Sequence, residues 1–333
     1  MAIHRFSYAA ASTVDEVLEV LGVDCRPLAG GVDLMDRLKE GLVAPDKLVS
    51  LKRIGELAQV RADAEGLHVG ALVSLAVLAA HHALDGPEWA CLRGALGETA
   101  SPQIRHMATL GGNLLQRPRC WYLRNKLTHC LRKGGPRCFA FRGENQRHAI
   151  LGGGPCYIVH PSDPAAALLA LDARVAIAGP GGSAHVWGSA GVRTVPLGEF
   201  YLLPKQDAQR ETILGDDELL TEVVIPAPAS GARGTYCKVA ERGERDFALA
   251  SVAVQVTLAE GRVAQARIVL GGVAPVPWRA PEAEAALVGQ PLSEAAIQAA
   301  SMAATAGARP LSQNGYKVEL AQGLVREALR ALG

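Results

Sequence analysis

A chain of 333 residues, 49% hydrophobic and 20% charged, can bury enough apolar surface to offset the entropy of ordering two or three domains, which excludes a disordered chain. Its formal net charge of +1 gives no global field to attract nucleic acid. No apolar run reaches the roughly 18 residues of a membrane span. The opening MAIHRFSYAAASTVDEV lacks the basic-then-apolar pattern of a secretory signal, so the reducing cytoplasm is the expected compartment.

Residues 1–54 read as a small α/β unit. Strands are expected at His4 to Tyr8, Arg26 to Ala29 and Lys47 to Leu51, with helices at Val14 to Leu21 and Leu34 to Lys39. Ser12 or Thr13 caps the first helix. Gly30 and Gly31 stand between the second strand and the second helix. Glycines there let backbone N–H groups approach a ligand, and the helix start adds a positive dipole end, which suits a pyrophosphate. A purely structural turn would read the same way. Neither a Walker loop nor the Rossmann G-x-G-x-x-G is present.

Leu57 to Arg61 and Gly66 to Gly70 alternate as strands. Helices follow at Leu75 to Leu84, behind Ser74, and at Trp89 to Thr99, ended by Ser101-Pro102-Gln103. Cys91, on the second of these, reads as a small buried hydrophobe. Gly111 and Gly112, after Thr109, repeat the logic of the first glycine turn. Two such turns point to a shared dinucleotide.

Between Leu114 and Cys156 lie Cys120, Cys130, Cys138 and Cys156, spaced C-x9-C-x7-C-x17-C. No close cysteine pair marks a zinc ribbon, and the tight ferredoxin run is absent. In a reducing compartment, clustered cysteines are more often metal ligands or redox groups than disulfides. Spacing alone leaves metal ligation and incidental loop thiols open. The stretch holds nine cations against one acid, Glu144, an excess that calls for a local anion such as a thiolate-bound cluster. A nucleic-acid patch with Trp121, Tyr122 and Phe139 as stacking groups would leave the cysteines unexplained. His129 and His148 read as hydrogen-bonded loop histidines.

Tyr157 to His160 is expected as a strand, followed by a helix at Ala165 to Leu171 capped by Ser162 or Asp163. Strands at Arg174 to Ala178 and His185 to Trp187 flank a hairpin at Gly179 to Ser183, Val195 to Phe200 leads on to Tyr201, and Leu219 to Pro226 is strand-like. Residues 226–231 form the best linker. The tail reads as three antiparallel strands, Gly234 to Ala240, Leu249 to Ala259 and Arg262 to Leu270, then helices at Pro281 to Leu287, Ser293 to Ala304 and Gly315 to Leu332. Cys25 and Cys237 read as structural.

The strings AGGVDLMDRLKEG and PDKLVSL, then QIRHMATLGGNL, HPSD and GGVAPVPWRAPEAEAAL, resemble the FAD-binding medium subunits of molybdenum hydroxylases, the group of xanthine dehydrogenase, carbon monoxide dehydrogenase and aldehyde oxidoreductase. The motifs occur in the family's order over essentially the whole chain. The run QRPRCWYLRN…C…C…HAI…C…HPSD is similar to the subset with an added [4Fe-4S] cluster, nearer the aldehyde oxidoreductase type than the 4-hydroxybenzoyl-CoA reductase type. One departure is Val32, where relatives often carry Thr or another polar residue.

The resemblance implies an α+β fold: a two-lobed FAD-binding domain of the vanillyl-alcohol-oxidase (PCMH) type, then a smaller α+β C-terminal domain of the carbon monoxide dehydrogenase flavoprotein type. The implied limits are 1–228, with lobes 1–54 and 55–228 and an iron–sulfur insertion at about 114–156, then 229–333. It implies FAD at Leu28, Ala29, Gly30, Gly31, Val32, Asp33, Leu34, Met35, Ser101, Thr109, Gly111, Gly112, Asn113 and Gln116. Asp163 and Lys238 would stand nearer the flavin end, although a surface strand-edge lysine is the plainer reading of Lys238. Cys120, Cys130, Cys138 and Cys156 would hold the [4Fe-4S] cluster. No residue of this chain is expected to act chemically on the organic substrate.

The implied partners are a large molybdenum-cofactor subunit, a small subunit with two [2Fe-2S] clusters, and an external electron acceptor. The implied activity is electron transfer during oxidation of an aldehyde or heterocycle. A reductase with reversed flow and a non-redox scaffold with structural zinc are the alternatives.

Overall fold

The computed structural model describes residues 3–180, 191–242 and 246–333. The first unit holds β1 (Ser7–Ala10), α1 (Val14–Leu18), β2 (Cys25–Leu28), α2 (Val32–Lys39) and β3 (Lys47–Ser50). Its strands run parallel in the order β1-β3-β2. Thr13 caps α1, accepting from the Glu16 N–H at 3.2 Å, while Glu16 reaches back to the Ser12 N–H at 2.7 Å. The helix ends earlier than its apolar pattern predicts, because the N–H groups of Val20 and Leu21 both turn onto the Val17 carbonyl. Pairing with β3 shifts the first strand to Ser7–Ala10 rather than His4 to Tyr8.

The second unit contains β4 (Val60–Asp63), β5 (Gly66–Gly70), α3 (Leu75–Ala79), α4 (Ala90–Glu98), α5 (Pro102–Met107), α6 (Leu110–Leu114), α7 (Trp121–Arg124), α8 (Asp163–Ala170), β6 (Arg174–Ala178), β7 (Val192–Pro196), α9 (Leu197–Phe200) and β8 (Leu219–Pro226). Its antiparallel sheet has the order β4-β5-β8-β6-β7. Several expectations are corrected. α3 stops at Ala79, and the His81 ring accepts from the Ala83 N–H to start a separate turn. α4 ends at Glu98 with Thr99 as its C-cap, and Ser101 caps α5 instead of ending α4, with Pro102 at the first helical position. Tyr157 to His160 is no strand: the Tyr157 carbonyl accepts from Ala149 and the His160 N–H donates to Ala274, so loops satisfy it. The segment expected as Val195 to Phe200 divides between β7 and α9. The expected strand His185 to Trp187 and most of the hairpin Gly179 to Ser183 lie outside the described residues.

The third unit has one strand more than expected: β9 (Ala232–Ala240), β10 (Ala248–Ala259), β11 (Arg262–Gly271) and β12 (Trp278–Arg279), in the antiparallel order β12-β11-β10-β9. Helices α10 (Pro281–Leu287), α11 (Glu294–Ala303) and α12 (Tyr316–Arg330) follow. Alternation along β10 explains its burial on both faces. Val252, Val254 and Val256 join Leu324, Val325 and Leu329 of α12, while Ala253 faces the core around α4 and α8. Ile150 and Leu151, from the cysteine stretch, are buried in the same cluster as α12. Each such side chain contributes about 1.5–3 kcal/mol.

His160 is buried against the Tyr201 ring, centroids 4.5 Å apart, and its Nε2 has no partner. Burial lowers its pKa from 6.5 to about 3, so the folded chain keeps it neutral. The unfolded chain takes up the proton first. This stabilisation is complete above the ordinary histidine range and is lost as pH falls from about 6.5 toward 3. Chemical denaturation across that window should show a shallower acid decline in His160→Phe than in the native chain; equal slopes would assign the acid sensitivity elsewhere.

Candidate FAD and cysteine sites

The first glycine turn occupies Ala29 to Gly31, between β2 and α2. Gly31 is the N-cap of α2 with φ 77°, a left-handed conformation that favours glycine. Gly30 is required for a different reason: a Cβ there would stand 1.7 Å from the Met107 carbonyl oxygen. The turn is thus pressed against the end of α5. The first-turn N–H groups of α2, on Val32, Asp33 and Leu34, have no partner among the described residues. They border a cleft of about 230 Å³ lined by Ala29 to Leu34, Thr109, Gly111, Gly112, Asn113 and Gln116. Arg26, Arg37 and Arg119 bring positive charge to it, and Leu51, Leu72, Leu219 and Leu220 supply apolar wall. Unspent donors, guanidiniums and an apolar wall together suit an anionic diphosphate joined to flat apolar rings.

Gly111 and Gly112 do not repeat this arrangement, which corrects the sequence reading. They sit inside α6, and its opening amides are already used. Leu110 donates to Val73 at 2.8 Å, Gly111 to Ala71 at 2.9 Å, and Gly112 to the capping Thr109 hydroxyl at 3.2 Å. A Cβ on Gly111 would lie 2.8 Å from that of Ala71, so this glycine serves close packing on β5's exit. What α6 offers the cleft is the Asn113 side chain, fixed by the Ser162 hydroxyl that donates to its Oδ1. Gln116 Oε1 accepts from Arg119 at 3.3 Å.

Three other expected residues stay out of the cleft. Leu28 and Met35 pack beneath Gly31, and Ser101 is spent on its cap. Asp33 lines the cleft, but its carboxylate is taken. It accepts from the Arg117 N–H at 3.2 Å and from Arg124 at 2.7 Å, and pairs with Arg119 at 2.8 Å. Burial works against its charge, yet Arg119 and Arg124 hold its pKa below the usual carboxylate range. Asp33 therefore ties α2 to the cysteine stretch. Arg26, Arg37 and Arg119 were missed; the first two flank the glycine turn at a strand and a helix position, a signal the sequence did contain.

Asp163 lines a second cavity, about 370 Å³, which shares Val32, Ala108, Asn113, Gln116 and Arg119 with elongated neighbouring surfaces of the cleft. Lys238 is neither at this cavity's wall nor at the surface. Its side chain is 4% exposed and pairs with Asp163 at 2.7 Å, while the Tyr236 hydroxyl donates to the same carboxylate at 2.8 Å. Burial outweighs these partners and raises the Asp163 pKa. Since Asp163 begins α8 and Lys238 lies on β9, the pair joins the second unit to the third.

The cysteines converge in pairs. Cys138 and Cys156 are hydrogen-bonded, which lowers the Cys156 pKa and raises that of Cys138. Cys120 is close enough to Cys156 and Cys130 for their charges to be felt, and burial pushes its thiol up to about 11. His148 Nε2 lies 3.3 Å from Cys120 Sγ, and burial lowers the His148 pKa to about 4, so the ring is neutral. No group of three or more His, Cys, Asp or Glu among the described residues is arranged to hold a single metal ion. The expected charge excess is partly met from outside: Arg117 and Arg132 pair with Glu211, and Arg147 with Glu241. Trp121, Tyr122 and Phe139 pack on one another instead of presenting a stacking surface.

The segment leading into α12, with the helix's first turn, clamps this region. Asn145 exchanges hydrogen bonds with the Gln313 backbone and side chain at 2.9 and 3.0 Å. Asn314 donates to the His148 and Ala149 carbonyls, and the buried Lys317 donates to those of Arg147 and Gly272. Burial, helped by Arg147, lowers the Lys317 pKa to about 7.

Residues 4–228 match the family model described as the FAD binding domain in molybdopterin dehydrogenase, and residues 235–332 match the CO dehydrogenase flavoprotein C-terminal domain. The chain belongs to the FAD-binding subunits of the molybdenum hydroxylases. It is 37% identical to the aldehyde oxidoreductase FAD-binding subunit PaoB of Escherichia coli over 89% of this chain and 87% of that one. It is 29% identical to the carbon monoxide dehydrogenase medium chain of Afipia carboxidovorans, over 94% and 90%. A chain in the structure of carbon monoxide dehydrogenase from Hydrogenophaga pseudoflava superposes with a TM-score of 0.76 at 29% identity, covering 99% of this chain and 98% of its own.

Membership in the molybdenum hydroxylase flavin subunits makes the chain an oxidoreductase component with FAD as its cofactor, and bears out the α+β expectation. It does not favour the zinc scaffold or the reversed reductase. No helix among the described residues is long and apolar enough to cross a membrane.

Proposed function

We propose that this chain is the FAD-bearing electron-transfer subunit of a heterotrimer. A large molybdenum-cofactor subunit would oxidise an aldehyde or heterocycle, a small [2Fe-2S] subunit would relay electrons, and an external acceptor would collect them. The aldehyde oxidoreductase named among its relatives supports the aldehyde class. The observation that carries the flavin reading is the cleft at Gly30 to Leu34, where unspent α2 amides meet Arg26, Arg37 and Arg119.

Bound FAD supplies the conversion between two-electron and one-electron transfer. The chain's own part is placement. The N–H groups of Val32, Asp33 and Leu34 and the three arginines would hold the diphosphate, with Asn113 and Gln116 beside it. The cavity reaching Thr99, Asp163 and Phe247 would take the remaining length of the cofactor. Asp163, neutralised by Lys238, shapes that wall without adding a free charge beside it.

We further propose that Cys120, Cys130, Cys138 and Cys156 hold a [4Fe-4S] cluster. Free cysteines related pairwise, Cys138 with Cys156 and Cys120 with Cys130 and Cys156, beside a buried arginine with unpartnered nitrogens are the donor set and charge such a cluster would need. Anaerobically purified complex should contain about four extra irons and four sulfides per copy beyond the two [2Fe-2S] centres. Cys130→Ser should remove that increment while FAD stays bound. Zinc in place of the iron would refute the cluster; a protein releasing no FAD on denaturation would refute the flavin site.

A further inference from the structure

Of the nine cations in the cysteine stretch, Arg132 alone is buried, with its side chain 1% exposed. Its Nη1 donates to Glu211 at 2.9 Å, but Nε and Nη2 make no hydrogen bond of ordinary geometry. The guanidinium nevertheless lies against the Cys156 side chain. A buried charge with two idle donors is costly, and folded proteins keep one where a further acceptor completes it.

We infer that Arg132 sets the reduction potential of the cluster bound at Cys156, its idle N–H groups serving the thiolate and neighbouring sulfur, and that Glu211 limits the effect. The inference rests on the cluster reading above. One-electron reduction adds one negative charge to a site already negative from four thiolates. A fixed cation favours the more negative state, so Arg132 moves the potential upward. Glu211, which also pairs with Arg117 at 2.8 Å, offsets part of that cation. The two residues therefore pull the potential in opposite directions through one contact.

The test is an EPR-monitored redox titration of the purified complex. Arg132→Met should shift the [4Fe-4S] midpoint to a more negative value, Glu211→Gln to a more positive one, and Arg132→Lys should stay near native. If Arg132→Met fails to fold, the upward shift in Glu211→Gln still decides. A loaded cluster with an unmoved midpoint in the variants, or shifts of the same sign for both charge removals, overturns the inference and leaves the cluster standing. Protein with FAD but no additional iron or sulfide removes the cluster reading, and this inference with it.

Discussion

Gly30→Ala should leave the purified chain largely without FAD. The added Cβ would stand 1.7 Å from the Met107 oxygen and 2.8 Å from its carbon, and both belong to backbone that cannot rotate aside. Either the turn at Ala29 to Gly31 lifts off α5, or the Ala108 segment retreats toward α6. Both movements separate the α2 amides from Thr109, Asn113 and Arg119 across the cleft. Overpacking of this kind costs about 1–3 kcal/mol even where the surroundings give way. Here the displaced piece is the ligand-facing turn, so cofactor content should fall more than stability does. FAD per protein after gel filtration, with thermal melts alongside, reads both effects. Gly55→Ala is the matched control, since nothing lies within 4 Å of its added carbon. Stoichiometric FAD in Gly30→Ala would remove the turn from the binding site.

Lys238→Met should be the most destabilising single replacement between the second and third units. It leaves the Asp163 carboxylate buried with the Tyr236 hydroxyl and no cation. Breaking a buried pair in this way costs about 3–5 kcal/mol. The Asp163 pKa is already raised by burial, and without Lys238 it rises further. The sign follows from proton uptake. A carboxyl whose folded pKa exceeds its unfolded value is favoured in acid and penalised as pH climbs through the folded pKa. The variant should therefore be weakest in mild alkali and recover as the solution is acidified. Asp163→Asn combined with Lys238→Met should lose much less than Lys238→Met alone. Urea unfolding at two pH values measures all three; a pH-independent loss would mean that packing of the lysine stem, not the carboxylate, accounts for the cost.

The local grammar of the chain was legible. Thr13, Ser74 and Ser162 cap helices as expected, and the strand–glycine–helix turn at Gly30 is where the pattern places it. What could not be read was who meets whom. Asp33 has the position of a ligand residue, but its carboxylate is satisfied by Arg124, 91 residues away. Lys238 has the look of an edge lysine, and its partner is 75 residues back. Glu211 lies in a polar stretch with no periodicity, yet it receives Arg132. The second glycine pair was misread because a Gly-Gly step cannot show whether its amides are already bonded. Tyr157 to His160 has strand composition, but its backbone found partners in loops before any strand came alongside.

The clamp formed by Gln313, Asn314 and Lys317 sets an order of events. These residues lie far along the chain from those they hold, 166 positions separating Asn314 from His148. Asn145 has local partners in the Ala140 and Gly143 carbonyls, but the His148 and Ala149 carbonyls receive their donors from Asn314 and that of Arg147 from Lys317. The loop between Cys138 and Cys156 is therefore completed only when this distant segment docks against it.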